Sequence, residues 1–150
     1  MKTYEIREIQ EKDLGELMLL IEEHAAYERS PYNGEGKQER LKDGLFGNNP
    51  RLKCWVIDID QLVNGYCSFT FDYSTWDAAM FIYMDGLYLR SAYRGMGIGT
   101  VILTRLKELA AQNDMVNVQW QTPDFNESAI AFYKKNGALP KNKVRFTLKA

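Results

Sequence analysis

Residues 93–100 read Tyr-Arg-Gly-Met-Gly-Ile-Gly-Thr and stand between an apolar, strand-like run and an amphipathic helical pattern. Three glycines at alternate positions, Gly95, Gly97 and Gly99, let the main chain turn where a Cβ would resist. They also let backbone N–H groups come close to a ligand. The helix that follows directs its positive N-terminal end at the same spot. A loop built this way suits a phosphate or pyrophosphate.

Spacing separates the phosphate loops that this one can be. A Walker-type loop requires Gly, four residues and then Gly-Lys-Ser/Thr, and no Lys follows any of these glycines. A dinucleotide fingerprint requires Gly-x-Gly-x-x-Gly near the first strand, with an acid about twenty residues on. Here the third glycine arrives one position early and the loop lies well past the middle of the chain. What remains is Arg-x-x-Gly-x-Gly, with Arg94, Gly97 and Gly99 in the named positions.

At 150 residues, the chain is long enough to bury a core and is read as one domain over residues 1–150. Its net charge of −1 offers no basic field for nucleic acid or an anionic membrane surface. No apolar run approaches the ~20 residues of a membrane-spanning helix. The first residues enter a strand pattern at once, which leaves no room for a targeting segment, so a soluble cytoplasmic protein is expected. Cys54 and Cys67 lack metal-ligand spacing and are expected to be buried and reduced. His24 is the only histidine; no metal site surrounds it in sequence, and a core or surface position is its default reading.

Hydrophobic periodicity predicts a strand over residues 3–9 and a helix over 13–27, carried by Leu14, Leu17, Met18, Ile21 and Ala25. Ser30-Pro31-Tyr32-Asn33-Gly34-Glu35-Gly36 is a loop, and a second helix is expected over 37–45. Strands follow at 52–59 and 65–73, joined by an Asn64-Gly65 hairpin turn. After an irregular stretch at 72–79, a further strand occupies 81–89. Ile98, Ile102, Leu106 and Leu109 form a helical stripe, and residues 116–122 a strand. Asn126 is a suitable N-cap and Gly137 a suitable C′ residue for a helix over 127–136. Residues 143–149 alternate as a closing strand. The order β-α-α-β-β-β-α-β-α-β describes an α+β domain around a mixed sheet.

That order, with the glycine loop between the fourth strand and the third helix, resembles the GNAT superfamily of acyl-CoA N-acyltransferases. Residues 93–99 and the run Asn126-Glu127-Ser128-Ala129-Ile130-Ala131-Phe132-Tyr133-Lys134-Lys135-Asn136-Gly137 are similar to the diamine (spermidine/spermine) and thialysine N-acetyltransferases. Ala26-Tyr27-Glu28 and Phe69-Thr70-Phe71-Asp72 resemble the same group. The resemblance implies a mixed, mostly antiparallel central sheet flanked by helices, acetyl-CoA as co-substrate without a metal, a small-molecule amine as acceptor, and a homodimer. It implies that Arg94, Gly95, Met96, Gly97, Ile98, Gly99 and Thr100 hold the pyrophosphate. Leu87, Tyr88 and Leu89 would pair with the pantetheine arm, and Asn126 would bond beside it or cap its helix.

Acetyl transfer needs a neutral attacking amine, a donor to the oxyanion and a proton for the departing thiolate. Tyr133, two helical turns after Asn126, keeps its phenolic proton at neutral pH and matches the tyrosine to which the family assigns the general-acid role. Asp85 interrupts an apolar strand, and beside Gly86 it suggests a bulge; a buried charge there would need a partner. The family has a glutamate at the matching position, which makes Asp85 the candidate to act on the amine, through water in this chain with its shorter acid. The family's next residue is also an acid, whereas this chain has Gly86. Glu28, Asp72 and Trp76, with Asp85, are the candidate lining of a cationic-amine pocket. The expected function is acetyl transfer from acetyl-CoA to a diamine, polyamine or lysine-like amino acid. The alternatives are a protein lysine or N-terminal acetyltransferase and a non-catalytic acyl-CoA-binding module.

Overall fold

The computed structural model describes residues 3–150. Its elements are β1 (Tyr4–Glu8), α1 (Leu14–Tyr27), α2 (Lys37–Phe46), β2 (Lys53–Ile59), β3 (Leu62–Ser74), β4 (Ala79–Leu89), α3 (Ile98–Gln112), β5 (Val118–Trp120) and α4 (Glu127–Lys135). The strands form one sheet in the order β1-β2-β3-β4-β5, antiparallel throughout except for the parallel β4–β5 pair. The α+β expectation and its element order hold up to α4.

Alternation along the strands divides the core between two faces. One face carries Ile57, Ile59, Cys67, Phe69, Ile82 and Met84 against Ile98, Ile102, Leu103 and Leu106 of α3. On the other, Cys54, Val56, Val63 and Tyr66 meet Leu14, Leu17 and Leu20 of α1 and Leu45 of α2. Both cysteines are free and buried, as expected. Burial pushes the Cys54 thiol up to about 12 and raises that of Cys67 as well, so both stay protonated at neutral pH.

Three features differ from the sequence reading. The β2–β3 turn falls at Asp60 and Gln61, both with positive φ (54° and 67°), instead of at Asn64-Gly65. Asn64 is the extra residue of a bulge opposite Ile57 and Asp58; it is buried, and its side chain bonds the Leu62 carbonyl and the Arg90 guanidinium. Gly65 lies within the strand, where a Cβ would stand 2.7 Å from the Tyr88 carbonyl oxygen. Second, residues 143–149 form no strand. Their alternation is a strand's, yet a strand needs a ladder of partners, and Val144, Phe146 and Leu148 are exposed. Third, Asp85 is exposed, so the expected cost of a buried charge does not arise.

Ion pairs fix α1 at both ends. Asp13, 5% exposed, accepts two hydrogen bonds from the Arg7 guanidinium (2.8 and 3.0 Å) and one from the Gln10 amide (2.8 Å). Further along, Arg90 at the end of β4 reaches back to Glu23 (2.9 Å) and Glu16 (3.3 Å). These clamps set the last turn of α1 over β3 and β4, beside the cavity described below.

Burial alone would raise the pKa of Asp13, but the bonds from Arg7 and the Gln10 amide outweigh it and hold the carboxyl below its ordinary 3.8. A carboxylate depressed in the folded state contributes stability that is complete above its unfolded pKa and is lost as pH falls through the folded one. Asp13→Asn is therefore expected to destabilise the protein by about 2 kcal/mol at pH 7, because the buried side of Arg7 loses its carboxylate and only the pair with Asp58 (3.1 Å) remains. In urea unfolding, the gap between parent and variant should narrow as pH falls below 3.8.

Candidate active site

The β4–β5 ladder is short: Ile82 pairs with Val118, Tyr83 with Gln119 and Met84 with Trp120, and there it ends. β4 continues to Leu89, while the chain after Trp120 turns away toward α4. The sheet opens into a wedge, whose apex is held by a Gln121–Tyr83 side-chain bond of 2.9 Å. Asp85 is the extra residue of a bulge, since Ser68 pairs with Gly86 and Phe69 with Met84. The bulge expected beside Gly86 is therefore present, centred one residue earlier.

The donor-acceptor phase of β4 follows from one bond. The Arg90 amide donates to the Asn64 carbonyl (3.0 Å), so Tyr88 and Gly86 spend their main-chain groups on β3. Those of Leu87 and Leu89 point into the wedge. The Leu89 carbonyl there accepts from Arg94 Nε at 2.7 Å. Of the three residues expected to pair with a pantetheine arm, Tyr88 offers its ring and not its backbone. That ring lies under the Arg94 guanidinium, as does the ring of Tyr27 (5.4 and 4.6 Å).

A cavity of about 630 Å³ fills the wedge. It is walled by β4 from Tyr83 to Leu89, by His24 and Tyr27 of α1 and Glu28 just after it, by Arg94, Gly95 and Gly99, and by Asn126 and Tyr133. Glu28, Asp85, Leu87, Tyr88, Leu89, Arg94, Gly95, Gly99, Asn126 and Tyr133 are thus brought together, as the sequence reading grouped them. Met96, Gly97, Ile98 and Thr100 lie outside the cavity wall. Gly97 is the left-handed N-cap of α3 (φ 83°), Gly95 is also left-handed (φ 76°), and Ile98 is a core residue. Among the described residues no side chain caps α3, which leaves its first amides for an anion. Gly99 serves a second purpose: a Cβ there would stand 2.7 Å from the Phe132 ring, so its absence lets α4 pack onto α3.

Asp72 and Trp76 are not brought to the cavity. Asp72 pairs with Phe81 toward the far end of the β3–β4 hairpin and accepts from Thr70 Oγ1 (3.3 Å). Trp76 is 93% exposed in the turn. Two strands longer than the sequence patterning suggested carry both residues away from the wedge.

α4 is fixed at both ends. Asn126 Oδ1 accepts from the Ala129 amide (3.4 Å) and from the Tyr27 hydroxyl (3.3 Å), so one side chain caps α4 and ties it to α1. At the other end the Gly137 amide bonds the Lys134 carbonyl and the Ala138 amide the Tyr133 carbonyl, with Gly137 left-handed as expected of C′. Tyr133 packs edge-on to Trp120 with ring centroids 5.1 Å apart. Burial, reinforced by the Glu28 carboxylate, pushes its phenol up to about 12. At neutral pH it holds its proton and can donate it to an anion that forms beside it.

The sequence reading missed His24, Tyr83 and Arg145 as cavity residues. His24 Nε2 lies 2.7 Å from Glu28 Oε2, and their i, i+4 spacing was a legible signal. Arg145 follows the last helix, in a segment without regular structure, and carried no signal.

Residues 17–138 match the family described as Acetyltransferase (GNAT) family. The chain is 34% identical to the thialysine N-epsilon-acetyltransferase of Mus musculus, over 92% of this chain and 85% of that one. It is 29% identical to the spermidine/spermine N(1)-acetyltransferase-like protein 1 of Homo sapiens, over 93% of this chain and 21% of that longer protein. Its fold is similar to the crystal structure of a possible acetyltransferase from Clostridium difficile 630, with a TM-score of 0.81, 18% identity and coverage of 98% and 97%. The chain belongs to the acetyltransferase (GNAT) family and is an acetyltransferase enzyme.

Proposed function

We propose that this enzyme moves the acetyl group of acetyl-CoA directly to a primary amine of a small molecule: a diamine, a polyamine or a lysine-like amino acid. One observation carries the reading: a single cavity joins an anion-accepting loop, strand groups that face no partner strand, a protonated phenol and two carboxylates, Glu28 and Asp85. The pyrophosphate would lie on the amides from Arg94 to Thr100. The pantetheine amides would pair with Leu87 and Leu89 as an added strand. A cationic amine would enter on the side of Glu28 and Asp85. Asp85 takes one proton of the ammonium through water, and the neutral nitrogen attacks the acetyl carbonyl carbon; as the carbon–sulfur bond breaks, Tyr133 gives its proton to the leaving sulfur, and the surplus proton on the new amide nitrogen returns to the Tyr133 phenolate. The sequence similarity to acetyltransferases named for thialysine and for spermidine/spermine supports an acceptor of this kind. A cytoplasmic homodimer completes the proposal; the exposed Val144, Phe146 and Leu148 and the outer edge of β5 are surfaces it would bring together. Light scattering checks the dimer.

Thiol release from acetyl-CoA, measured against a panel of amines, tests the function. Turnover with diamines or lysine-like amino acids is expected. Turnover with peptides alone would favour a protein acetyltransferase, and acetyl-CoA binding without turnover would favour a binding module. Tyr133→Phe is expected to lower kcat about a hundredfold with acetyl-CoA affinity nearly unchanged. Parental kcat in this variant, with chemistry limiting, would remove Tyr133 as the acid. Gly97→Ala is expected to cost about 1 kcal/mol of stability, because the left-handed backbone resists a Cβ, and to raise the KM for acetyl-CoA. A parental KM would place the pyrophosphate elsewhere.

A further inference from the structure

His24, Tyr66 and Glu28 form a hydrogen-bonded chain that leads from the core to the cavity wall. The Tyr66 hydroxyl lies 2.5 Å from His24 Nδ1, and His24 Nε2 lies 2.7 Å from Glu28 Oε2. A carboxylate only accepts, so Nε2 carries a proton; in the neutral ring Nδ1 then accepts from the Tyr66 O–H. Burial raises the pKa of Tyr66, and the cysteines, Asp85 and Glu28 raise it further, so its hydroxyl remains a donor. The imidazole is stacked on Tyr88 (5.2 Å, 21°) and meets Tyr66 edge-on (5.7 Å). It has little freedom to turn.

Gly86 makes room for this chain. A Cβ at position 86 would stand 2.9 Å from the Tyr66 ring and 3.1 Å from its hydroxyl. The space a side chain on residue 86 would take is filled by Tyr66, whose hydroxyl orients His24. Glu28 Oε1 has no hydrogen-bond partner among the described residues, and Glu28 and Asp85 both line the cavity.

We infer that Tyr66 and His24 are positioning residues that hold Glu28 with one carboxylate oxygen presented to the cavity as the counter-charge for a second cationic group of the substrate, the group that is not acetylated. This rests on the proposed amine acetylation and adds to it the residues that hold the carboxylate in place for doubly charged acceptors. Glu28 binds the distal ammonium, and Asp85 serves the reacting one.

The test compares 1,4-diaminobutane with butylamine as acceptors. His24→Leu is expected to raise the KM for the diamine about tenfold and the KM for butylamine by a much smaller factor. His24→Gln, which keeps a donor toward Glu28, is expected to restore most of the diamine KM. In a Glu28→Gln background, His24→Leu should add nothing further. Equal KM changes for both amines, or additive effects of the two substitutions, would overturn the inference. Because the chain has one histidine, its long-range ¹H–¹⁵N spectrum supplies a readout independent of turnover. The imidazole is expected as the Nε2–H tautomer, perturbed by Tyr66→Phe and by titration with 1,4-diaminobutane. A parent that releases no thiol with any amine contradicts the proposed function, whereas a parent that turns over while the imidazole signals ignore the diamine contradicts this inference alone.

Discussion

The site depends on one constraint: β4 outruns β5. Parallel pairing stops at Met84–Trp120, and beyond it β4 has no strand neighbour on that side, with the Leu89 carbonyl met instead by Arg94 Nε. Unpaired backbone groups inside a fold are expensive unless something satisfies them. An extended ligand carrying amides is one solution, and the wedge has the length and the exposed Leu87 and Leu89 groups to accept it. The short β5 and the turn of the chain into α4 are what keep the wedge from closing.

Around that opening, each element is fixed by contacts that also furnish the chemistry. Asn126 caps α4 and accepts the Tyr27 hydroxyl, so the helix with the candidate acid and the helix with the candidate amine-binding carboxylate are fastened at one point. The Arg90 clamp on Glu16 and Glu23 sets the height of α1 above the sheet. Gly99 lets Phe132 settle on α3, which places the neighbouring Tyr133 against Trp120 at the mouth of the wedge. The two buried thiols stay protonated, which agrees with direct transfer rather than an acyl-cysteine intermediate.

Local signals in the sequence were sufficient where the structure obeys local rules. The glycine loop, the Asn126 cap, the Gly137 stop and the helical stripe of α3 are all matters of neighbours within a few residues. Readings that needed a partner distant in sequence were the ones that shifted. Asn64-Gly65 has the composition of a turn but is a bulge, because Arg90 and Tyr88 claim the space around it. The alternation at 143–149 describes a strand with no ladder to join in the single chain. Asp85 looked buried because its neighbours are apolar, and the bulge turned it outward. His24 was legible as an i, i+4 partner of Glu28, while its link to Tyr66, 42 residues on, appears only in three dimensions.

A crystal structure of the protein with CoA would reveal whether the wedge between β4 and β5 places a thioester between the Tyr133 phenol and the Glu28–Asp85 wall. The pyrophosphate is expected on the amides from Arg94 to Thr100, pantetheine bonded to Leu87 and Leu89, and the sulfur within about 3.5 Å of the Tyr133 hydroxyl. A CoA bound outside the wedge, or a sulfur on the far side of α4 from that hydroxyl, would contradict that placement.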